Sequence, residues 1–112
     1  MIYREMTIIE IKVLNAIKNS ASFVLPIQAR ELRQNLGLSK RTLEEIIESL
    51  RVNFRQPIVV KKTRPSGYYL PKTEEERQAG LAPYKRQILT EQKNLAAIMS
   101  VNLKEYWENK NG

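Results

Sequence analysis

Apolar positions recur at helical spacing in three successive stretches of the chain, after which the period changes. In the first stretch Ile9, Val13 and Ile17 repeat at i, i+4 and i+8 with Leu14 beside them. This predicts a helix over residues 7–19, with Thr7 placed as its N-cap and Asn19-Ser20 as its stop. Residues 23–27 follow, and Pro26 disfavours the helical region for Leu25, so an extended segment is expected that fits a short first strand. A second helix is predicted over 28–36, with Ala29, Leu32 and Leu36 as its buried stripe and Gly37 ending it in the left-handed conformation. Its cap is weak: Gln28 stands three residues before Glu31, where a hydroxyl would complete a capping box. The third stretch has the cleanest period, Leu43, Ile46, Ile47 and Leu50 at i, i+3, i+4 and i+7. Ser39 is its expected N-cap. The opposite side carries Lys40, Arg41, Glu44, Glu45, Glu48 and Arg51.

Pro57 stops any further helix, and the pattern turns strand-like. Residues 58–62 and 67–70 read as two strands joined by 63–66, with Pro65 and Gly67 supplying turn chemistry. Strand alternation sends one of Tyr68 and Tyr69 inward and the other outward. Thr73 and Glu76 form a capping box at the start of a further helix, and Glu74, Glu75 and Glu76 suit the positive end of its dipole. Gly80 and Pro83 are expected to kink this helix, or to end it with Pro83 in the first turn of the next. From Tyr84 the pattern is helical to about Val101 and extendable to Trp107. Leu81, Ile88 and Leu95 recur every seven residues, with Tyr84 and Ile98 between them, but Glu91 interrupts the seam. A two-chain coiled coil and packing onto the chain's own core both stay open.

Composition narrows the class. The chain has 112 residues, 42% apolar and 28% charged, which suits one soluble globular domain. No apolar run approaches the roughly 18 residues of a membrane span. The N-terminus carries charge within its apolar stretch and does not read as a signal peptide, so the cytoplasm is the expected location and no membrane partner is expected. The sequence has no Cys and no His. A disulfide framework, a zinc finger and a His-based triad are thereby excluded. The four glycines are scattered, so there is no phosphate-cradling loop. Neither enzymatic activity nor a cofactor is expected.

The net charge of +7 is unevenly placed. Residues 1–27 hold three basic and two acidic groups, 28–72 hold ten and four, and 73–112 hold six of each. Nearly all the excess lies in the helix, turn, helix and hairpin stretch. A polyanion attracts such a patch and gains affinity from counterion release, whereas a merely solvated basic face carries no reason to coincide with that pattern.

A helix that reads DNA contacts base edges mainly through its N-terminal turn while the preceding helix crosses the backbone. This nominates Ser39, Lys40, Arg41 and Thr42, with Glu45 one turn on. Arg41 has the fork that matches the two acceptors of guanine, and Lys40 suits phosphate as a point charge. Ser39 and Thr42 are also explained as helix caps, the preferred reading for Ser39. Glu45 has two readings, an acceptor for a cytosine amino group and an i, i+4 partner that orients Arg41; the second is preferred. In the hairpin, Lys61, Lys62, Arg64 and Ser66 are nominated for the DNA backbone, with Arg64 at the tip also suited to a minor groove. Lys61 and Lys62 are also explained as edge-strand protection. Arg30 and Arg33 are further backbone contacts on the second helix.

The run ARELRQNLGLSKRTLEEIIESLR, followed by PIVV and SGYYLPKTEEE, resembles winged helix–turn–helix proteins of bacteriophages and mobile elements of Gram-positive bacteria. The resemblance covers about residues 8–100, and SGYYL running into an acidic helix start is its most specific part. Gln28 in place of a hydroxyl cap and Gly80 after the wing depart from it. It implies a mainly α fold with a small β-hairpin: a three-helix core plus wing over 1–72, and one or more additional helices over 73–112 that pack on the domain or mediate dimerisation. The implied function is sequence-specific binding of double-stranded DNA in replication initiation or transcription regulation. The alternative is a protein-interaction module that docks onto a replication or regulatory partner. A homodimer is a further expected partner state.

Overall fold

A computed structural model of the chain describes residues 4–110, with side chains through Glu108. It is mainly helical with one small antiparallel hairpin, and it divides into two compact units, Met1–Leu81 and Ala82–Gly112.

The first unit is built on three helices, α1 (Ile8–Ser20), α2 (Ala29–Leu36) and α3 (Lys40–Val52), which pack against one another in pairs. The periodic residues account for this. Val13 and Ile17 of α1, Leu32 of α2 and Leu43, Ile46, Ile47 and Leu50 of α3 form one buried cluster with Ile27, Ile58 and Tyr68. Ile9, Ala29 and Leu36 are only half-buried at its margin. The helix ends follow local chemistry. The Thr7 hydroxyl accepts from the Glu10 N–H at 3.2 Å while the Glu10 carboxylate accepts from the Thr7 N–H at 2.8 Å, a full capping box. Gln28 makes no side-chain cap for α2, and Gly37 ends that helix at φ 67°. Ser39 caps α3 by accepting from the Thr42 N–H at 3.1 Å.

Strands β1 (Val59–Lys61) and β2 (Gly67–Tyr69) pair antiparallel, with Val59 opposite Tyr69 and Lys61 opposite Gly67. The strand expected over 23–27 reduces to a single bridge between Ile27 and Tyr68, because a turn closed by Ser22 and Leu25 bends the residues before it. Gly67 is required at this bridge. Its φ is 147°, and a Cβ would overlap the Ile27 carbonyl oxygen and lie 2.7 Å from the carbonyl carbon.

One expectation fails here. Tyr68 and Tyr69 are both buried rather than one in and one out. Alternation still points them to opposite faces, but both faces are covered. Tyr68 joins the helical core. Tyr69 packs edge-on against Phe23, with centroids 5.5 Å apart, and donates its hydroxyl to the Glu76 carbonyl at 2.7 Å. Burial, and secondarily the nearby Glu76, pushes the Tyr69 phenol pKa above its ordinary value. Of the two alternatives for Gly80 and Pro83, the ending of the helix is not what is found: α4 (Glu74–Ser100) continues through both residues. Pro83 forgoes one backbone hydrogen bond. Gly80 is buried because it is where the helix meets the hairpin: a Cβ would overlap the Tyr69 hydroxyl oxygen and lie 2.6 Å from Val59 Cγ1.

Among the described residues of this unit one charged side chain is buried. Glu10, 4% exposed, receives two hydrogen bonds from the Arg4 guanidinium at 2.8 and 2.9 Å and one from the Ser49 hydroxyl at 2.6 Å. Arg4 also lies 5.0 Å over the Phe54 ring. The Arg4 guanidinium, reinforced by Ser49 and Thr7, outweighs burial and holds the Glu10 carboxyl well below the usual carboxylate range.

In the second unit, the remainder of α4 is followed by a break at Val101–Asn102 and then α5 (Leu103–Lys110), whose Glu105 N–H bonds to the Asn102 side chain at 3.0 Å. Every residue from Lys85 to Glu108 is exposed. Among the described residues no helix is long and apolar enough to cross a membrane.

Candidate nucleic-acid interface

The buried stripe of α3 fixes which side of that helix meets solvent. With Leu43, Ile46, Ile47 and Leu50 in the core, Lys40, Arg41, Thr42, Glu44, Glu45 and Glu48 are all exposed. At the helix start the Ser39 hydroxyl donates to Thr42 Oγ1 at 2.9 Å as it accepts the Thr42 N–H. These two hydroxyls are therefore engaged in capping. Arg41 Nε donates to Glu45 Oε1 at 3.2 Å, with the two side chains 90% and 63% exposed. This is the i, i+4 pairing expected from the sequence. The two terminal guanidinium nitrogens of Arg41 have no partner among the described residues. Lys40 is exposed and has no carboxylate partner among the described residues.

The nominated residues of α2 divide. Arg30 is exposed, whereas Arg33 is half-buried and donates from Nε to the Leu38 carbonyl at 3.3 Å, tying α2 to the turn before α3. Both border an open groove of about 470 Å³ with Gln34, Gly37 and Leu38.

The hairpin residues divide in the same way. Lys61 turns inward: its ammonium donates to the Phe23 carbonyl at 2.9 Å and lies 4.4 Å over the Phe23 ring. That ties β1 to the loop before α2 and explains the residue without recourse to a ligand or to edge protection. Lys62, Arg64 and Ser66 are exposed. Lys61, Lys62 and Ser66 border a second groove of about 470 Å³ with Gln28 and Ala29 at the uncapped start of α2. No hydrogen bond or ion pair joins Arg64 to α3.

Among the basic residues between 28 and 72, Arg33, Lys61 and Arg51 are thus bonded to the chain's own carbonyls, the last donating from Nε to the Ile58 carbonyl at 2.8 Å. The charge count did not reveal this, because each partner is a backbone carbonyl and carries no sequence signal. Among the described residues no cluster of three or more carboxylates is placed to hold a metal ion. No protein-family model, no curated protein and no solved structure matches the chain.

Proposed function

We propose that this chain is a sequence-specific double-stranded DNA-binding protein of the winged helix–turn–helix type. In this reading α2 and α3 are the helix–turn–helix, α3 is the recognition helix and β1–β2 is the wing. Its place is in replication initiation or transcription regulation in a phage or mobile element, within the cytoplasm. The observation that carries the reading is α3 itself. One side is sealed in the core, while its first turn offers Lys40 and the outer nitrogens of Arg41 to solvent. The concentration of positive charge in residues 28–72 supports it.

Equilibrium titration of a labelled duplex at several salt concentrations, with heparin as competitor, tests the proposal. Affinity is expected to fall steeply with salt and to exceed that for heparin. Equal affinity for duplex and heparin at low salt would remove sequence-specific binding. The hairpin gives an internal contrast. Arg64→Ala is expected to weaken duplex binding and reduce the salt slope by about one. Lys61→Ala is expected to lower the melting temperature and to leave the salt slope almost unchanged, because its ammonium is spent on Phe23.

The second reading, docking onto a protein partner or a second copy, is favoured by one observation. Ile88, Leu89, Leu95, Ile98, Met99, Leu103 and Trp107 are each at least 49% exposed, and a helical segment without a buried face is marginal in water. Under this reading wild type associates with rising concentration in sedimentation velocity, or retains a replication or regulatory protein. Leu95→Glu combined with Ile98→Glu abolishes either behaviour while leaving duplex affinity per protomer intact. Identical sedimentation and partner capture by wild type and variant would count against it.

A further inference from the structure

We infer that Arg41 reads a guanine and that Glu45 is its positioning residue, steering the guanidinium to a base edge and away from phosphate. The inference rests on the duplex-binding reading and adds to it a ligand chemistry, a neutral edge carrying two hydrogen-bond acceptors.

The geometry of the pair supplies the first reason. Glu45 Oε1 takes Arg41 Nε, the inner donor of the guanidinium. The outer edge, with its two parallel N–H donors, has no partner among the described residues. A guanidinium held this way presents a planar fork, and guanine N7 and O6 are the acceptor pair in the major groove that this fork fits. The mount is firm at its base, since Leu43 is 1% exposed and Ser39 and Thr42 close the first turn around it.

Electrostatics supplies the second reason and separates base from phosphate. A phosphate approaching Arg41 also approaches the Glu45 carboxylate, with Glu44 and Glu48 exposed on the same helix. Repulsion offsets much of the attraction. A base edge is neutral and meets no such opposition, while the exocyclic amino group of the paired cytosine is a donor that a carboxylate favours. Lys40, without a carboxylate partner, keeps the phosphate role. An exposed i, i+4 pair by itself stabilises a helix only slightly, so it is its effect on the fork, rather than on the fold, that the test addresses.

Duplexes retained from a random pool by wild type, Arg41→Lys, Arg41→Ala and Glu45→Gln, sequenced alongside the input, test this together with the salt slope and melting temperature of each protein. Wild type is expected to enrich one guanine position. Arg41→Lys keeps the charge and the salt slope but lowers the preference at that position by about tenfold or more. Glu45→Gln weakens the preference at the same position and steepens the salt slope, because the freed guanidinium turns to phosphate. Melting temperatures are expected to stay together. The inference is overturned if the motif lacks a guanine that Arg41→Lys relaxes, if Arg41→Ala lowers affinity equally for all sequences, or if Glu45→Gln relaxes a different base pair. Duplex binding without such a guanine overturns the inference alone; no duplex binding at all overturns the proposed function with it.

Discussion

Gly80→Ala is expected to destabilise the first unit by roughly 1–3 kcal/mol, the cost of overpacking a close-packed contact, although alanine is the better helix former by about 1 kcal/mol. The two effects oppose each other, and sterics decide. The added Cβ would overlap the Tyr69 hydroxyl oxygen and lie 3.1 Å from Tyr69 Cζ and 2.6 Å from Val59 Cγ1. Tyr69 is fully buried, and its hydroxyl is held on the Glu76 carbonyl. The ring therefore cannot withdraw without losing that bond and its edge contact with Phe23. Urea unfolding should show a lower midpoint for the variant. A double-mutant cycle locates the cause. In a Tyr69→Phe background the nearest overlapping atom is gone, and Gly80→Ala should cost about 1 kcal/mol less, a coupling of the size found for residues in contact. A Gly80→Ala protein as stable as wild type would mean that α4 does not lie against the hairpin as described.

The second large effect is at Glu10. Glu10→Ala is expected to cost roughly 2–3 kcal/mol, in line with the loss of hydrogen bonds to a buried charged group. The carboxylate accepts from Arg4, Ser49 and the Thr7 amide together, so its removal takes away one half of the α1 capping box and the link from α1 to α3 at once. The same site gives the fold an acid limit. Its folded pKa lies below the unfolded carboxyl value of about 4.3. The unfolded state therefore binds the proton first as pH falls. The stabilisation is complete above that unfolded value and is lost progressively below it. Thermal melts from pH 7 to pH 3 should show a steep decline for wild type. Glu10→Gln should start lower and decline less, since the titrating group is gone. Parallel pH profiles for the two proteins would contradict this assignment.

What the sequence made legible was local. The three helices could be read because their core residues sit at fixed spacing within a single segment: Leu43, Ile46, Ile47 and Leu50 are all buried where the period put them. Gly37 and Ser39 could be read because a helix end and a helix cap are decided within a few residues. The Arg41–Glu45 contact is likewise confined to one turn. Tyr69 could not be read, because alternation assumes one wet face of the hairpin, and that face is covered by Phe23 and Gly80 from elsewhere in the chain. Gly80 looked like a weakness in a helix because its use lies in the missing side chain, which only the opposing Tyr69 explains. Glu10 was half legible. Thr7 and Glu10 have capping-box spacing, yet the Ser49 hydroxyl arrives from 39 residues away. Lys61 was nominated for DNA, and its carbonyl partner on Phe23 lies 38 residues upstream. Within the candidate site, exposure of Lys40, Arg41 and Arg64 followed from period and turn chemistry, while the inward bonds of Arg33, Arg51 and Lys61 required the folded chain.

Backbone amide chemical shifts of the 112-residue chain, followed by nuclear magnetic resonance during addition of a duplex selected from the random pool, test the duplex-binding proposal most directly. Saturating shifts are expected at Ser39–Glu45 and at 62–66 in the hairpin tip, with residues 85–108 unmoved. Shifts confined to 85–108, or no shifts at low salt, would contradict it.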